Sequence, residues 1–105
     1  MKPIRPLDLA VFRDEKMGKS TLYQSEDLLL GLNSFQPGQE HASHVHADMD
    51  KAYLVLEGEG VFSLDDEEWT LGPGEMLVAP RGRPHGVRNE SGQNLVVLAV
   101  LAPSP

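Results

Sequence analysis

The sequence predicts an all-β fold, a small antiparallel sandwich or barrel of the jelly-roll type with about eight strands and little or no helix. Three observations carry this expectation. Short segments rich in Val, Leu, Phe and Tyr recur at close, regular spacing. Ten Gly and eight Pro are scattered through the chain and punctuate those segments, as turns between strands require. No segment repeats apolar residues at a helical period for more than a turn or two.

Residues 1–19 have weak periodicity. Pro3 and Pro6 argue against an early helix, so "LDLAVFRDEKMGKS" reads as a short strand or a single helical turn. This stretch is expected to be an N-terminal arm or edge strand that can cross to a neighbouring subunit, with the barrel at 20–105. "STLYQS" is the first strand of the barrel, and "DLLLGLNSF" is the second, stopped by the turn "QPGQ". "KAYLVLEG" alternates apolar and polar residues and ends at Gly58. "GVFSL" and "EEWTL" flank an acidic tip and form a hairpin. "LGPG" turns, and "EMLVAP" is a short apolar strand stopped by Pro80 and Gly82. "HGVRNE" alternates, "SGQN" turns, and "LVVLAVLA" is a fully buried closing strand. Phe35, Met49, Phe62, Trp69 and Met76 are expected to line or plug the interior.

Composition limits the function. With 105 residues the chain has the size of one domain with one core. It has no cysteine, which excludes disulfides, thiolate metal sites and a cysteine nucleophile. The formal charge of −7 disfavours a phosphate backbone as partner, so no nucleic acid is expected. No apolar run approaches a membrane span and no secretory leader stands out, so the expected location is cytoplasmic, away from the membrane. The "DDEE" run at Asp65–Glu68 reads as a solvated hairpin tip.

The segment "HASHVHADMDK" carries the chemistry. It has three histidines within six residues, His41, His44 and His46. His44 and His46 are two apart, and on an extended segment such residues project to one side. Two imidazoles on one face can share a cation at roughly 2.0–2.1 Å each. His85 follows a Gly- and Pro-rich turn and can reach the same point in a barrel. Three ordinary loop histidines are the alternative. His41 reads as a rim residue or, as the alternative, a support behind the metal-ligating histidines.

At these residues the chain resembles the cupin superfamily in its small, single-domain bacterial form. The first cupin motif appears as Gly38, "QEHAS", His44-Val45-His46, "ADMD", Lys51, "AYLVLE", Gly58. The second is "GEMLVAPRGRPHGVRN", with Gly74, Pro80, Gly82, His85 and Asn89 in place. Nine of the ten fixed positions match, in two motifs fifteen residues apart. The resemblance covers Gly38–Asn89, about half the chain, and implies a cupin-type jelly-roll barrel. Gly58, Gly74 and Gly82 allow turn conformations. Pro80 stiffens the chain, and Asn89 is expected to secure a turn.

The resemblance implies a divalent metal (Zn, Fe, Mn or Ni) held by three His and one Glu. The histidines carry over to His44, His46 and His85, but Lys51 stands where the family has Glu. An ammonium roughly 5 Å from a dication at an effective dielectric near 20 costs on the order of 6 kcal/mol. Four arrangements answer that clash. Lys51 turns its head away and leaves a three-His site with open positions. Lys51 is neutral and buried, a base or Schiff-base amine. Asp50 turns inward as the fourth ligand, through a strand bulge. Or the site holds no transition metal and the histidines contact a ligand directly.

If Lys51 faces inward, Tyr53 and Val55 do too, and Tyr53 sets a phenol beside the histidines, as a catalytic group or as a core tyrosine. Lys51 and Tyr53 are thus the candidate catalytic residues, and Arg81 and Arg83 can meet an anionic ligand or simply serve solubility. The resemblance implies a small-molecule ligand. It points to a metal-dependent, non-redox enzyme of cyclase or isomerase type, like the polyketide cyclases of antibiotic synthesis. A non-catalytic binding barrel and a metal-dependent dioxygenase are the alternatives. A homodimer paired through a sheet edge is expected.

Overall fold

The computed structural model describes residues 2–105; of the expected arm over 1–19, Met1 lies outside the described residues. The rest of that segment opens with a single 3₁₀ turn at Pro6–Leu9, with Pro6 at its start. Proline's fixed φ suits a first helical position, where no N–H is needed. The arm then reaches β1 (Gly18–Gln24).

Eight further strands follow. They are β2 (Leu29–Phe35), β3 (Glu40–His44), β4 (Asp50–Glu57), β5 (Gly60–Leu64), β6 (Glu67–Leu71), β7 (Met76–Ala79), β8 (His85–Arg88) and β9 (Leu95–Ala102). They form two antiparallel sheets, in the orders β1-β2-β9-β4-β7 and β3-β8-β5-β6. The architecture is thus the expected two-sheet β barrel, with nine strands among the described residues. The strand beyond the expected eight is β3, which reads "EHASH" and has no apolar alternation. It lies at the edge of its sheet and pairs with β8 alone.

The interior is divided lengthwise. Phe35, Tyr53, Val55, Phe62, Val87, Leu95 and Val97 pack into one core with Met17. Each fully buried apolar side chain contributes about 1.5–3 kcal/mol relative to exposure. Three neighbouring strands supply both ends of the interior. Inward residues run Phe35, Asn33, Gly31, Leu29 on β2; Leu95, Val97, Ala99, Leu101 on β9; and Val55, Tyr53, Lys51 on β4. Large residues fill the first end. At the other end Gly31 stands opposite Ala99, and these small residues leave a cavity.

Two of the expected interior residues lie outside. Trp69 is on the edge strand β6 and 39% exposed, and Met76 is 57% exposed. The period of two explains Met76: on β7, Leu77 and Ala79 face inward, so Met76 and Val78 face out. Met49, half-buried just before β4, does not line the cavity.

Two glycines let backbones approach closely, Gly58 at the packed end of the interior and Gly86 beside the histidines. Gly58 has φ +79, and a Cβ there would come within 2.1 Å of the Asn94 carbonyl oxygen. Gly86 lets β3 approach β8: a Cβ would meet the Ser43 nitrogen at 2.9 Å and the His41 oxygen at 3.0 Å. The Asn89 side chain is buried, and its Nδ2 donates to the carbonyls of Phe35 and Gln93 while its Oδ1 accepts from the Ser91 N–H. It secures the turn after β8, as its place in the motif suggested.

Candidate metal centre

β3 delivers the first histidine through an irregularity in its pairing. His41 lies opposite Val87 and His44 opposite His85, with a register shift between them. Residues three apart on a regular strand face opposite sides. The bulge instead turns both rings the same way, and they stack with centroids 4.3 Å apart. His46 follows just past the end of β3. Pro84 precedes His85, which opens β8 and is 1% exposed.

The three rings converge. One ligand nitrogen from each of His44, His46 and His85 lies within 4.8 Å of the others, and the Nε2 atoms of His44 and His46 are 3.1 Å apart. Hydrogen bonds behind the rings set which nitrogen is free. His44 Nδ1 is 2.9 Å from the Ala42 carbonyl oxygen, and His85 Nδ1 is 2.9 Å from that of Arg83. A carbonyl only accepts, so each Nδ1 carries the proton and each Nε2 turns its lone pair to the centre. This backing is typical of metal-ligating histidines. His85 Nε2 is buried without any hydrogen-bond partner, a costly state unless something else occupies the centre. The donor set fits a borderline-soft divalent ion.

Lys51 faces the interior and is 4% exposed. Its Nζ lies 4.8 Å from the centre of the Tyr53 ring. Burial, then the nearby Lys19 charge, lowers its pKa to about 8. Asp50 is not brought to the histidines. Strand alternation turns it outward, where its Oδ1 accepts from the Arg81 backbone N–H at 2.9 Å and its carboxylate pairs with the Arg81 guanidinium. The bulge that would turn it inward is absent, because β4 keeps regular pairing on both sides at this end. The expectation of Asp50 as fourth ligand is thereby corrected.

Tyr53 is fully buried. Its ring stands 5.3 Å from Phe62 and 6.1 Å from His85. Burial raises its pKa, and it does not line the cavity. Arg81 is occupied by Asp50 and Arg83 by Asp65. His41 sits deeper than a rim residue. It lines the cavity, and its Nδ1 is buried without a partner. The adjoining cavity has a volume of about 230 Å³. Its walls include His44, His46, Lys51, Asn33, Leu29 and Leu101.

Burial is the main cause that lowers the pKa of His41 to about 3 and that of His85 to about 4. In the unfolded chain both bind a proton near pH 6.5. Below that pH the unfolded state therefore holds more protons, and the folded state loses stability as pH falls toward 4. For the buried His85 the slope is at most about 1.4 kcal/mol per pH unit. Metal-free protein is expected to melt at lower temperature at pH 5 than at pH 6.5, with a shallower dependence in His85→Asn. Equal slopes in the two proteins would refute this.

Comparison with known proteins gives the family. The family described as Cupin domain matches residues 31–101. The crystal structure of TT1209 from Thermus thermophilus superposes with a TM-score of 0.96 at 45% identity, covering 100% of both chains. Acireductone dioxygenase of Leishmania major is 30% identical over 100 residues, 83% of this chain and 29% of its own. Quercetin 2,3-dioxygenase of Bacillus subtilis is 35% identical over 80 residues, 76% of this chain and 23% of its own. The chain spans about half or less of the curated relatives it matches.

Proposed function

The chain belongs to the cupin family, and from that premise we propose that it holds a divalent metal on His44, His46 and His85 and rearranges a small molecule by proton transfer, as an enzyme of isomerase or cyclase type. The observation that carries this reading is a single cavity walled by metal-competent imidazoles and by a buried amine. A bound divalent ion would polarise a carbonyl or enol oxygen of the ligand.

The chain's own residues supply the rest. Burial lowers the Lys51 pKa to about 8, and a bound cation would favour the neutral amine further, the form a general base needs. In the proposed step a C–H bond beside the carbonyl breaks, the proton passes to Lys51 Nζ, and the electron pair stays in the enolate. Lys51 then returns the proton at another position. Tyr53 acts as a positioning residue, with its ring against the ammonium. Burial keeps its phenol protonated, so no phenolate is available as a base.

A dioxygenase is the second reading, favoured by the two dioxygenases among the relatives. Against it, the motif's carboxylate is replaced by Lys51, and iron oxygenases commonly rely on two His and one carboxylate. One experiment separates the readings. Zinc-loaded protein in D₂O is expected to exchange the C3 protons of pyruvate, with a rate about 100-fold lower or less in Lys51→Met. Oxygen uptake by iron-loaded protein without such exchange would support the dioxygenase. Neither activity would leave a binding barrel.

A further inference from the structure

We infer that the cavity is built for a small carboxylate, whose acidic group sits between Lys51 and Lys19 and which enters past Arg13 and Lys16. The inference rests on the reading that this cavity is the ligand site, and it names the ligand class.

The chain carries 16 Asp and Glu against 9 Lys and Arg, so a random patch of its surface is acidic. The cavity is the opposite. Among the described residues no Asp or Glu side chain lines it, whereas Lys19 and Lys51 both do, and Pro105, also on its wall, makes no ion pair with either. Lys51 is 4% exposed and, among the described residues, has no carboxylate within ion-pairing distance. In its protonated state, the one from which it returns the proton, Lys51 is a buried ammonium without a counter-charge, which is unfavourable. The protein does neutralise cations elsewhere: Arg81, Arg83 and Arg88 are each ion-paired. At Lys51 the partner is left for the ligand.

A second cavity, of about 340 Å³, shares Lys19 and His41 with the first and adds Arg13 and Lys16. Four of the nine basic residues thus line two adjoining spaces. Glu40 is the acidic residue on the outer one, and Arg13 is partly answered by Glu15. Such a basic passage in an acidic protein concentrates anions at its mouth. Inside, Leu29, Ala99 and Leu101 offer an apolar wall, while Asn33 and the free Nδ1 of His41 offer polar contacts. The volume admits a short-chain acid with a second oxygen directed toward the histidines, such as a 2-oxo or 2-hydroxy acid.

The test compares pyruvate with its uncharged amide, pyruvamide, by ¹H–¹⁵N NMR titration at low salt, with and without zinc. Zinc retention is measured separately by equilibrium dialysis. Pyruvate is expected to bind at least about tenfold more tightly than pyruvamide, the usual worth of a charge-assisted hydrogen bond. In Lys51→Met the preference is expected to fall to about twofold or less, and in Lys19→Met the salt dependence flattens. Equal binding of the two probes, no binding of either, or a preference that survives both substitutions would overturn the inference. A pyruvate preference in protein that retains no zinc would sink the metal reading and leave the anion site standing.

Discussion

Replacing His44 by Ala is expected to lower zinc affinity by at least about 100-fold, because loss of even an outer-shell partner costs roughly 10–100-fold. Elemental analysis after dialysis against zinc would read this as about one equivalent in the wild type and little in the variant. The reason lies in how the site is preorganised. The Nδ1 atoms of His44 and His85 are held by the carbonyls of Ala42 and Arg83, so both Nε2 lone pairs face the centre before any ion arrives. With His44 gone, His46 loses its 3.1 Å neighbour and two ring nitrogens remain, too few for a stable protein site of this ion. Asp50→Asn is the informative control. Its carboxylate serves Arg81 on the outer surface, so the variant should hold zinc like the wild type. A wild type that retains no metal after incubation with zinc, iron, nickel or manganese would remove the metal-centred function altogether.

What could be read from the sequence, and what could not, follows from periodicity. The alternation in "KAYLVLEG" puts Lys51, Tyr53 and Val55 on one face, and these three are the inward residues of β4. The motif spacing brings His44, His46 and His85 into one group. β3 was illegible because a polar edge strand has no pattern of two to detect. Its bulge was equally hidden, and that bulge swings His41 from the rim into the cavity wall. Trp69 and Met76 were expected inside because large apolar residues usually are. Edge position and strand parity decide otherwise, and both depend on pairing that lies outside the local sequence. The cavity itself depends on Gly31 meeting Ala99 across β2 and β9, a coincidence of register invisible in either strand alone.

Changing Lys51 to Glu is expected to have the opposite effect to His44→Ala, raising metal affinity by about 100-fold or more. Position 51 is buried and lines the same cavity as His44 and His46, so a carboxylate placed there faces the ion instead of an ammonium. The swing is two charge units at close range. At an effective dielectric near 20 and roughly 5–6 Å, each unit against a dication is worth on the order of 6 kcal/mol before desolvation is subtracted. A small remainder of that suffices for a 100-fold change, since about 2.7 kcal/mol corresponds to that ratio. Lys51→Met separates the two contributions: it removes repulsion without adding a ligand, and its affinity should fall between those of the wild type and Lys51→Glu. Lys51→Glu should also lose the preference for pyruvate over pyruvamide, because the counter-charge for the carboxylate has been inverted. Unchanged metal affinity in both variants would mean that the lysine head does not share the field of the metal. The site would then be a three-histidine centre whose fourth position is set by solvent and ligand alone.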